Sequence, residues 1–229
     1  MKNKPSLWMR ALLIAVSLVW AVPLLWAVVT ALKPAKESML LNWPSSLTLE
    51  NFQIVFQSAP FLQYGLNTVL IVAGILAIQL VTVTLGAYAL ACIDFRGKPL
   101  AVALIMVQII IPADVLILPN YITLRQLSLL DTLVGVMVPF FASSMGLLLL
   151  RGAYKGIPVA IADAAKIDGA NVWQTLLHVY IPSTRATYVA FAICSVSTHW
   201  NNFLWPMIVI NSVEKRPLTV GLSLFAKAS

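Results

Sequence analysis

The sequence is short of charged residues, and this shortage argues against a soluble protein. Only 10% of the 229 residues are charged, whereas soluble globular domains have roughly 25%, and 60% are hydrophobic. A soluble fold of this length needs a polar surface that such a composition cannot supply. The composition therefore indicates an all-α polytopic membrane protein.

Cysteine is also scarce, and the two that occur do not form a recognisable site. Cys92 and Cys194 have neither zinc-ligand spacing nor a disulfide pattern, and we expect both to be small buried side chains. No cluster of metal-ligating residues and no nucleophile–base pair stands out, so we expect no metal and no catalysis. The net charge of +7 comes largely from residues at the ends of apolar runs, which suits lipid headgroups better than nucleic acid.

Long apolar segments are what the sequence does contain. Each is close to the roughly 17–25 residues that cross a bilayer as a helix, so we predict five transmembrane helices. A cytoplasmic N-terminus places most of the Lys and Arg residues inside, the segment 33–66 outside and the loop 151–187 inside. The five segments are Ala11–Leu32, Asn67–Ile93, Leu100–Leu118, Leu133–Leu150 and Tyr188–Ile210.

The predicted inner loop has the pattern of two short helices joined by a turn. Pro158 suits a helix start, and Val159–Ile167 is rich in helix-compatible alanine. Gly169 permits a left-handed turn, and a second helical piece at about Val172–Val179 should end before Pro182. Charges and small side chains near the turn suit the docking of a soluble partner. These residues are Asp163, Ala164, Ala165, Lys166 and Asp168.

The same loop contains a spaced motif. Asp163-Ala164-Ala165 is followed after three residues by Gly169, and after nine more by Val179-Tyr180-Ile181-Pro182. The motif resembles the EAA loop of ABC importer permeases, in which Glu-Ala-Ala, Gly and Ile-x-Leu-Pro have this spacing. Further strings are similar to the sugar and glycerol-phosphate, or maltose permease-like, subgroup of that family. They are IPADVLILPNY (111–121), LLDT (129–132), DAAKIDGA (163–170) and WNNFLWP (200–206).

The resemblance implies a type I ABC importer permease fold in the inner membrane of a bacterium. It implies a permease subunit that translocates a carbohydrate or related polyol, coupled to ABC ATPase subunits through the loop from Asp163 to Pro182. It also implies a second, different permease chain and an extracytoplasmic solute-binding protein as partners. The sequence has no G-x-x-x-x-G-K-[ST] phosphate loop, so we expect ATP to be used on the partner and this chain not to be an enzyme.

The resemblance also implies six helices and a cytoplasmic C-terminus. The sequence shows no sixth apolar run after Ile210, and we expect a chain truncated at its C-terminal side. We divide it into residues 1–62, with the tail, first helix and external loop, and residues 63–229, the transmembrane domain without its last helix.

Polar and aromatic residues within two predicted helices are the candidates for the translocation path. Asp114 lies two residues after Pro112. The pattern fits two interpretations of Asp114: a residue that contacts the solute, or a helix-end residue that faces water. The polar run in the fifth helix needs internal partners or water, which a cavity for a hydroxyl-rich solute would supply. Helix–helix hydrogen bonding with an interfacial aromatic belt is the alternative. The run comprises Thr198, His199, Trp200, Asn201, Asn202 and Trp205.

Three other functions stay open at this point. A glycerol-3-phosphate importer belongs to the same subgroup, although the predicted helices contain no basic residue that would bind a phosphate. A secondary transporter usually shows two related halves and charges deep in the membrane, and neither is evident. A membrane-embedded enzyme needs paired carboxylates or histidines, which the helices lack.

Overall fold

The computed structural model describes residues 6–228, with side chains up to residue 226. These residues form helices and connecting turns without any strand, which confirms the all-α class. The chain divides into two compact units, Met1–Phe61 and Leu62–Ser229.

The first unit contains a long apolar helix and a folded loop. Helix α1 (Leu7–Ala31) starts where the Ser6 hydroxyl accepts from the Met9 amide, and it confirms the first predicted span. No residue of α1 is buried, so its apolar surface is available to lipid. A short 3-10 turn (Ala35–Glu37) and helix α2 (Glu50–Ser58) complete the unit.

The second unit is a set of helices of very unequal length. Helix α3 is the long one, and the others are broken by turns at prolines and polar residues. In order, the helices are α3 (Phe61–Cys92), α4 (Lys98–Ile110), α5 (Ile117–Gln126), α6 (Leu133–Met137), α7 (Ser144–Lys155), α8 (Val159–Ile167), α9 (Val172–Thr175), α10 (Ile181–Ser183), α11 (Arg185–Trp200), α12 (Leu204–Val209) and α13 (Leu218–Ala228).

Only two of the described helices, α1 and α3, are long and apolar enough to cross a membrane unbroken. Two bent pairs raise the number to four if each counts as one span: Lys98–Ile110 with Ala113–Gln126, bent by 98°, and Leu133–Phe140 with Ser144–Lys155, bent by 45°. The fifth predicted segment is divided between α11 and α12. The expectation of continuous third, fourth and fifth helices therefore needs correction.

Local chemistry explains each break. Ile111 is extended at φ −75° and ψ 119° because Pro112 follows it and disfavours a helical conformation. Pro139 lies in a 3-10 turn after α6, and the hydroxyl of Ser143 caps a new helix by accepting from the Gly146 amide. Pro206 lies in the first turn of α12, where its missing N–H is tolerated.

Two buried apolar clusters hold the second unit together along α3. The first joins α3 to α7, α8 and α11 and includes Val83, Leu150, Ala162 and Phe191. A Cβ on Gly146 would approach the Phe191 ring to 2.3 Å, so α7 and α11 pack directly against each other there. The second joins α3 to α5, α6 and α12 and includes Ile71, Ile75, Leu124, Val136, Trp205 and Val209.

One further expectation, that both cysteines are buried, is wrong. Cys92 and Cys194 are both exposed, not buried, because apolar side chains in a membrane chain can face lipid or a cavity instead of a core. The tail after Ile210 forms the short helix α13, which is not among the described helices that are long and apolar enough to cross a membrane. It packs on α3, where Asn67 Nδ2 donates to the Arg216 carbonyl at 3.0 Å and the Leu218 amide donates to Thr68 Oγ1 at 2.8 Å.

Candidate functional site

The loop from Asp163 to Pro182 is organised by a left-handed turn at Gly169, whose φ is +78°. Helix α8 ends just before it, as predicted, and two amides of the turn satisfy its last carbonyls. Gly169 N donates to Lys166 O at 3.0 Å and Ala170 N donates to Ala165 O at 2.9 Å, which is a Schellman motif. No heavy atom from the surroundings lies within 4 Å of a Cβ placed on Gly169. The position therefore needs glycine for its backbone conformation and not for space.

A capping box starts the second helix of the loop. The Asn171 side chain accepts from the Gln174 amide at 2.9 Å, and the Gln174 side chain accepts from the Asn171 amide at 2.8 Å. Helix α8 and α9 are thus fixed relative to each other by hydrogen bonds that lie within the loop itself. The predicted helix-turn-helix is present.

The second helical piece does not end before Pro182, as we expected from the sequence. Helix α9 continues as a π-turn over Leu176–Tyr180 and then as α10, which contains Pro182 in its first turn. The wider π-turn accommodates a proline because it shifts the backbone pairing at the point where the ring removes a donor. One non-helical residue, Thr184 at φ −115° and ψ 17°, then separates α10 from α11.

The α8–α9 pair presents apolar side chains that nothing in the described chain covers. Ile167, at the tip, is 86% exposed, and Val172 and Trp173 beside it are also exposed. Asp163 and Lys166 form an exposed ion pair at 3.3 Å, with Asp168 exposed beside them. Ala164 is exposed and Ala165 half-buried, while Ala162 on the opposite face is buried in the first core cluster. The α8–α9 pair therefore packs against the first core cluster on one face and is exposed on the other.

Tyrosine rings and hydroxyls join this loop to the long helices. Tyr180, in the π-turn, lies with its ring centroid 5.2 Å from those of both Tyr88 on α3 and Tyr154 on α7. The Tyr154 hydroxyl is 2.5 Å from that of Tyr188 on α11, which lies 2.7 Å from Thr84 Oγ1 on α3. We call these five residues the tyrosine cluster, and through it the loop contacts α3, α7 and α11.

Five of the seven residues predicted for the translocation path line one cavity of about 420 Å³. The break at Pro112 and the break after Trp200 face each other across it. Gln108 and Asn120 also line it, and sequence reasoning missed both as path residues, although a lone amide in an apolar helix is a usable signal. The five predicted residues are Asp114, Thr198, His199, Asn202 and Trp205.

Trp200 and Asn201 lie elsewhere. Both border a shallow depression on the exposed side of α11, and the Asn201 side chain donates to the Ser197 carbonyl at 2.7 Å. Helix periodicity explains the separation, since consecutive residues at the end of α11 point in different directions. The polar run therefore divides into a part that faces the cavity and a part that does not.

Gln79 connects the cavity wall to α3. Its side chain is buried, donates to the Phe140 carbonyl at 2.7 Å and accepts from the Ser195 hydroxyl at 2.6 Å. Its Nε2 also lies 3.4 Å from His199 Nε2, while His199 Nδ1 is buried with no hydrogen-bond partner among the described residues. These contacts connect α3 to the cavity wall and place the Gln79 amide beside His199.

Asp131, a carboxylate that sequence reasoning did not select, connects the turn before α6 to the segment after α12. Asp131 Oδ1 accepts from the amides of Asn211 and Ser212, each at 2.9 Å, and Oδ2 accepts from Lys215 Nζ at 3.2 Å and from the Ser212 hydroxyl. The Ser212 hydroxyl and amide hold the pKa of Asp131 far below its usual value. The quoted string LLDT contains this residue, but nothing in the sequence identifies its partners.

The chain is similar to several bacterial permeases, although no known protein-family model matches it. It is 31% identical over 208 residues to the arabinooligosaccharides transport system permease protein of Halalkalibacterium halodurans, covering 88% of this chain and 74% of that protein. It is 29% identical over 223 residues to the diacetylchitobiose uptake system permease protein of Streptomyces coelicolor, covering 96% and 74%. To the sn-glycerol-3-phosphate transport system permease protein of Salmonella typhimurium it is 25% identical over 192 residues, covering 81% and 68%.

A solved structure shares the fold. The match is a chain of a bacterial ABC transporter involved in the import of the acidic polysaccharide alginate, with a TM-score of 0.81 and 23% sequence identity. It covers 99% of this chain and 88% of that one. The fold of this chain is thus one that a solved structure already shows.

Proposed function

Because this chain belongs to the sugar and glycerol-phosphate family of ABC importer permeases, we propose that it translocates a neutral carbohydrate or related polyol through the cavity bounded by Asp114, His199 and Trp205. As a member of that family it is a permease subunit in the cytoplasmic membrane. The observation that carries the choice of solute is the lining of the cavity.

That lining matches a hydroxyl-rich, uncharged molecule. Amide, hydroxyl and imidazole groups supply donors and acceptors, and the Trp205 and Phe140 rings supply apolar planes of the kind that pack against sugar faces. The His199 Nδ1 atom is buried with no protein partner in the described chain, and a polar solute or water would satisfy it. No Lys or Arg occurs among the described residues that line the cavity.

The loop from Asp163 to Pro182 is, in this proposal, the seat of the ATPase subunit. The exposed apolar tip at Ile167 and Trp173 gives a rigid, preorganised docking surface, because the Schellman motif and the capping box fix the turn. The tyrosine cluster would carry a movement of the loop to α3, α7 and α11. ATP binds and is hydrolysed on that partner, and a second permease chain and an extracytoplasmic solute-binding protein complete the importer.

Glycerol 3-phosphate is the second candidate, favoured by the relatives that carry its name. A phosphate in this cavity would meet the carboxylate of Asp114 and no cation from the described lining, which disfavours a dianion. The two candidates differ in charge, so competition between solutes separates them.

Uptake by the assembled importer in proteoliposomes tests the proposal. Thr198→Val and Asn202→Leu remove cavity hydroxyl and amide groups, and we expect at least a fivefold loss of sugar uptake with the ATPase subunit still bound. Asn201→Leu is the matched control, since its side chain lies outside the cavity, and it should keep normal uptake. Inhibition by glycerol 3-phosphate but by no neutral sugar would instead support the second candidate.

A further inference from the structure

The loop between α1 and α2 contains an uncharged, apolar stretch, Ser38–Leu49. A loop surrounded by water would usually carry charged side chains. No residue of this stretch is Asp, Glu, Lys or Arg. Its large apolar side chains are nearly all open to the surroundings in the first unit. They are Met39 (92% exposed), Leu40, Leu41 (93%), Trp43 (76%), Leu47 and Leu49.

Specific hydrogen bonds give this stretch a fixed form. Lys33, fully buried, donates from Nζ to the Leu40 carbonyl at 2.8 Å, and the Thr48 amide donates to the Leu32 carbonyl at 2.8 Å. Glu37 accepts from the amide and the hydroxyl of Ser45 at 3.1 and 2.6 Å. The apolar side chains are therefore held outward by the loop and are not left exposed by a lack of structure.

Contacts with α1 fix the position of the stretch along the axis of that helix. The rings of Trp26 and Trp43 meet edge to face with centroids 6.0 Å apart, and Lys33 Nζ lies 4.7 Å from the Trp26 ring centroid. Trp26 precedes the end of α1 at Ala31 by more than one helical turn, or about 7 Å along the axis at 1.5 Å per residue. The loop thus folds back beside the last turns of α1 and does not extend beyond them.

The apolar surface of α1 bears on what surrounds the loop. Helix α1 is long and apolar enough to cross a membrane, and Trp26 lies five residues before its C-terminal end, so we expect Trp26 near the boundary of a bilayer that α1 spans. Tryptophan is enriched at that boundary because its ring is apolar and its N–H is polar. The apolar surface of the loop continues the apolar surface of α1, which has no buried residue within this chain.

We propose that Ser38–Leu49 is an interfacial membrane anchor, which inserts Met39, Leu41 and Trp43 into the lipid leaflet at the C-terminal end of α1. The occupant of this surface is the headgroup–acyl boundary of the bilayer. Lys36, exposed at the edge of the stretch, lies where it can meet lipid phosphates. The anchor fixes the tilt and depth of α1 independently of which solute the importer carries.

Spin-label accessibility in the assembled importer tests the proposal. In a background with both cysteines replaced by alanine, Leu41→Cys is labelled in proteoliposomes and its collisions with oxygen, which partitions into lipid, and with a water-soluble nickel chelate are compared. Leu18→Cys on α1 is the lipid reference and Gln57→Cys, on the polar exposed side of α2, the aqueous one. We expect an oxygen-to-nickel ratio at residue 41 several-fold above that at residue 57. Met39→Cys gives a second, independent site if one label perturbs the loop.

Two results would overturn the anchor. A ratio at residues 39 and 41 equal to that at residue 57 would place the stretch in water. Exclusion of both reagents, whether always or only after the solute-binding protein is added, would show that a protein covers it. Neither result would bear on solute uptake, so the anchor and the proposed function fail separately.

Discussion

Gly169 is the residue on which the geometry of the proposed docking loop depends. Its φ of +78° is unfavourable for residues with a Cβ, at a cost of roughly 1–2 kcal/mol. The space around it is open, so the backbone alone decides which residues fit.

Gly169→Leu should therefore weaken the turn and with it the binding of the ATPase subunit. We expect at least a fivefold loss of ATPase co-purification and of uptake. Gly169→Asn should retain most of both, because asparagine tolerates the left-handed conformation. Gly152→Leu is the steric control, since Gly152 also has open space but an ordinary helical backbone. Equal loss in the leucine and asparagine variants would contradict the role of φ.

Asp131 gives a pH-dependent contribution to stability whose sign follows from its lowered pKa. The folded carboxylate is stabilised relative to the unfolded one, so its contribution is complete above the unfolded value of 3.8 and is lost as pH falls below it. Asp131 has a φ of +55°, which asparagine also tolerates.

Asp131→Asn should lower the unfolding free energy at pH 7 by about 1 kcal/mol, in line with hydrogen bonds to a charged group at a partly exposed site. Thermal unfolding in detergent, measured between pH 7 and pH 3, should show the difference from the parent protein shrinking at the acid end. Asp94→Asn, which alters an exposed ion pair with Lys98, should have little effect at any pH. A difference that grows towards acid would contradict the assignment.

Among the elements, the long α3 and the short α8 are the ones that the sequence predicts best. The sequence of α3 is an unbroken apolar run, and that of α8 is an alanine-rich run between Pro158 and Gly169. Both patterns leave few alternatives to a helix. The breaks inside the other spans were not anticipated, although Pro112, Pro139 and Pro206 mark them. A hydropathy average over many residues conceals the single residues that interrupt a helix. Tertiary contacts decide whether a proline bends the helix or ends it.

The tyrosine cluster could not be predicted, because its members are distant in the sequence. Tyr188→Phe removes the hydroxyl shared by Tyr154 and Thr84 and leaves a buried Tyr154 hydroxyl short of a partner. We expect a loss of about 1–3 kcal/mol in stability and, in the assembled importer, ATP hydrolysis that no longer drives full uptake.

The ratio of solute transported to ATP hydrolysed separates coupling from stability. Tyr121→Phe, in the second core cluster, is the control and should leave that ratio unchanged. If Tyr188→Phe lowers hydrolysis and uptake in the same proportion, the cluster only supports the fold.

At the scale of the whole molecule, sequence patterns predicted the helical membrane class and the separate polar regions, but not their assembly. Asp114 and the run from Thr198 to Trp205 are far apart in the chain, and only the two helix breaks bring them to one cavity. Helical phase then excludes Trp200 and Asn201. A linear pattern identifies polar residues that need partners, whereas the direction of each side chain depends on where its helix ends.

In the proposed function, ATP hydrolysis on a partner subunit drives transport through the cavity. A secondary transporter would instead use ionisable groups in its path, and here Asp114 is the one carboxylate among the described residues of the cavity wall.

We therefore expect that depleting ATP while keeping the proton gradient stops uptake in cells. Dissipating the gradient while keeping ATP should leave most of the initial rate. Asp114→Asn should not change this dependence on ATP, since an ATP-driven importer does not require a proton-coupling carboxylate. Uptake that survives ATP depletion would make the chain a secondary transporter, and the exposed tip at Ile167 would then need another partner.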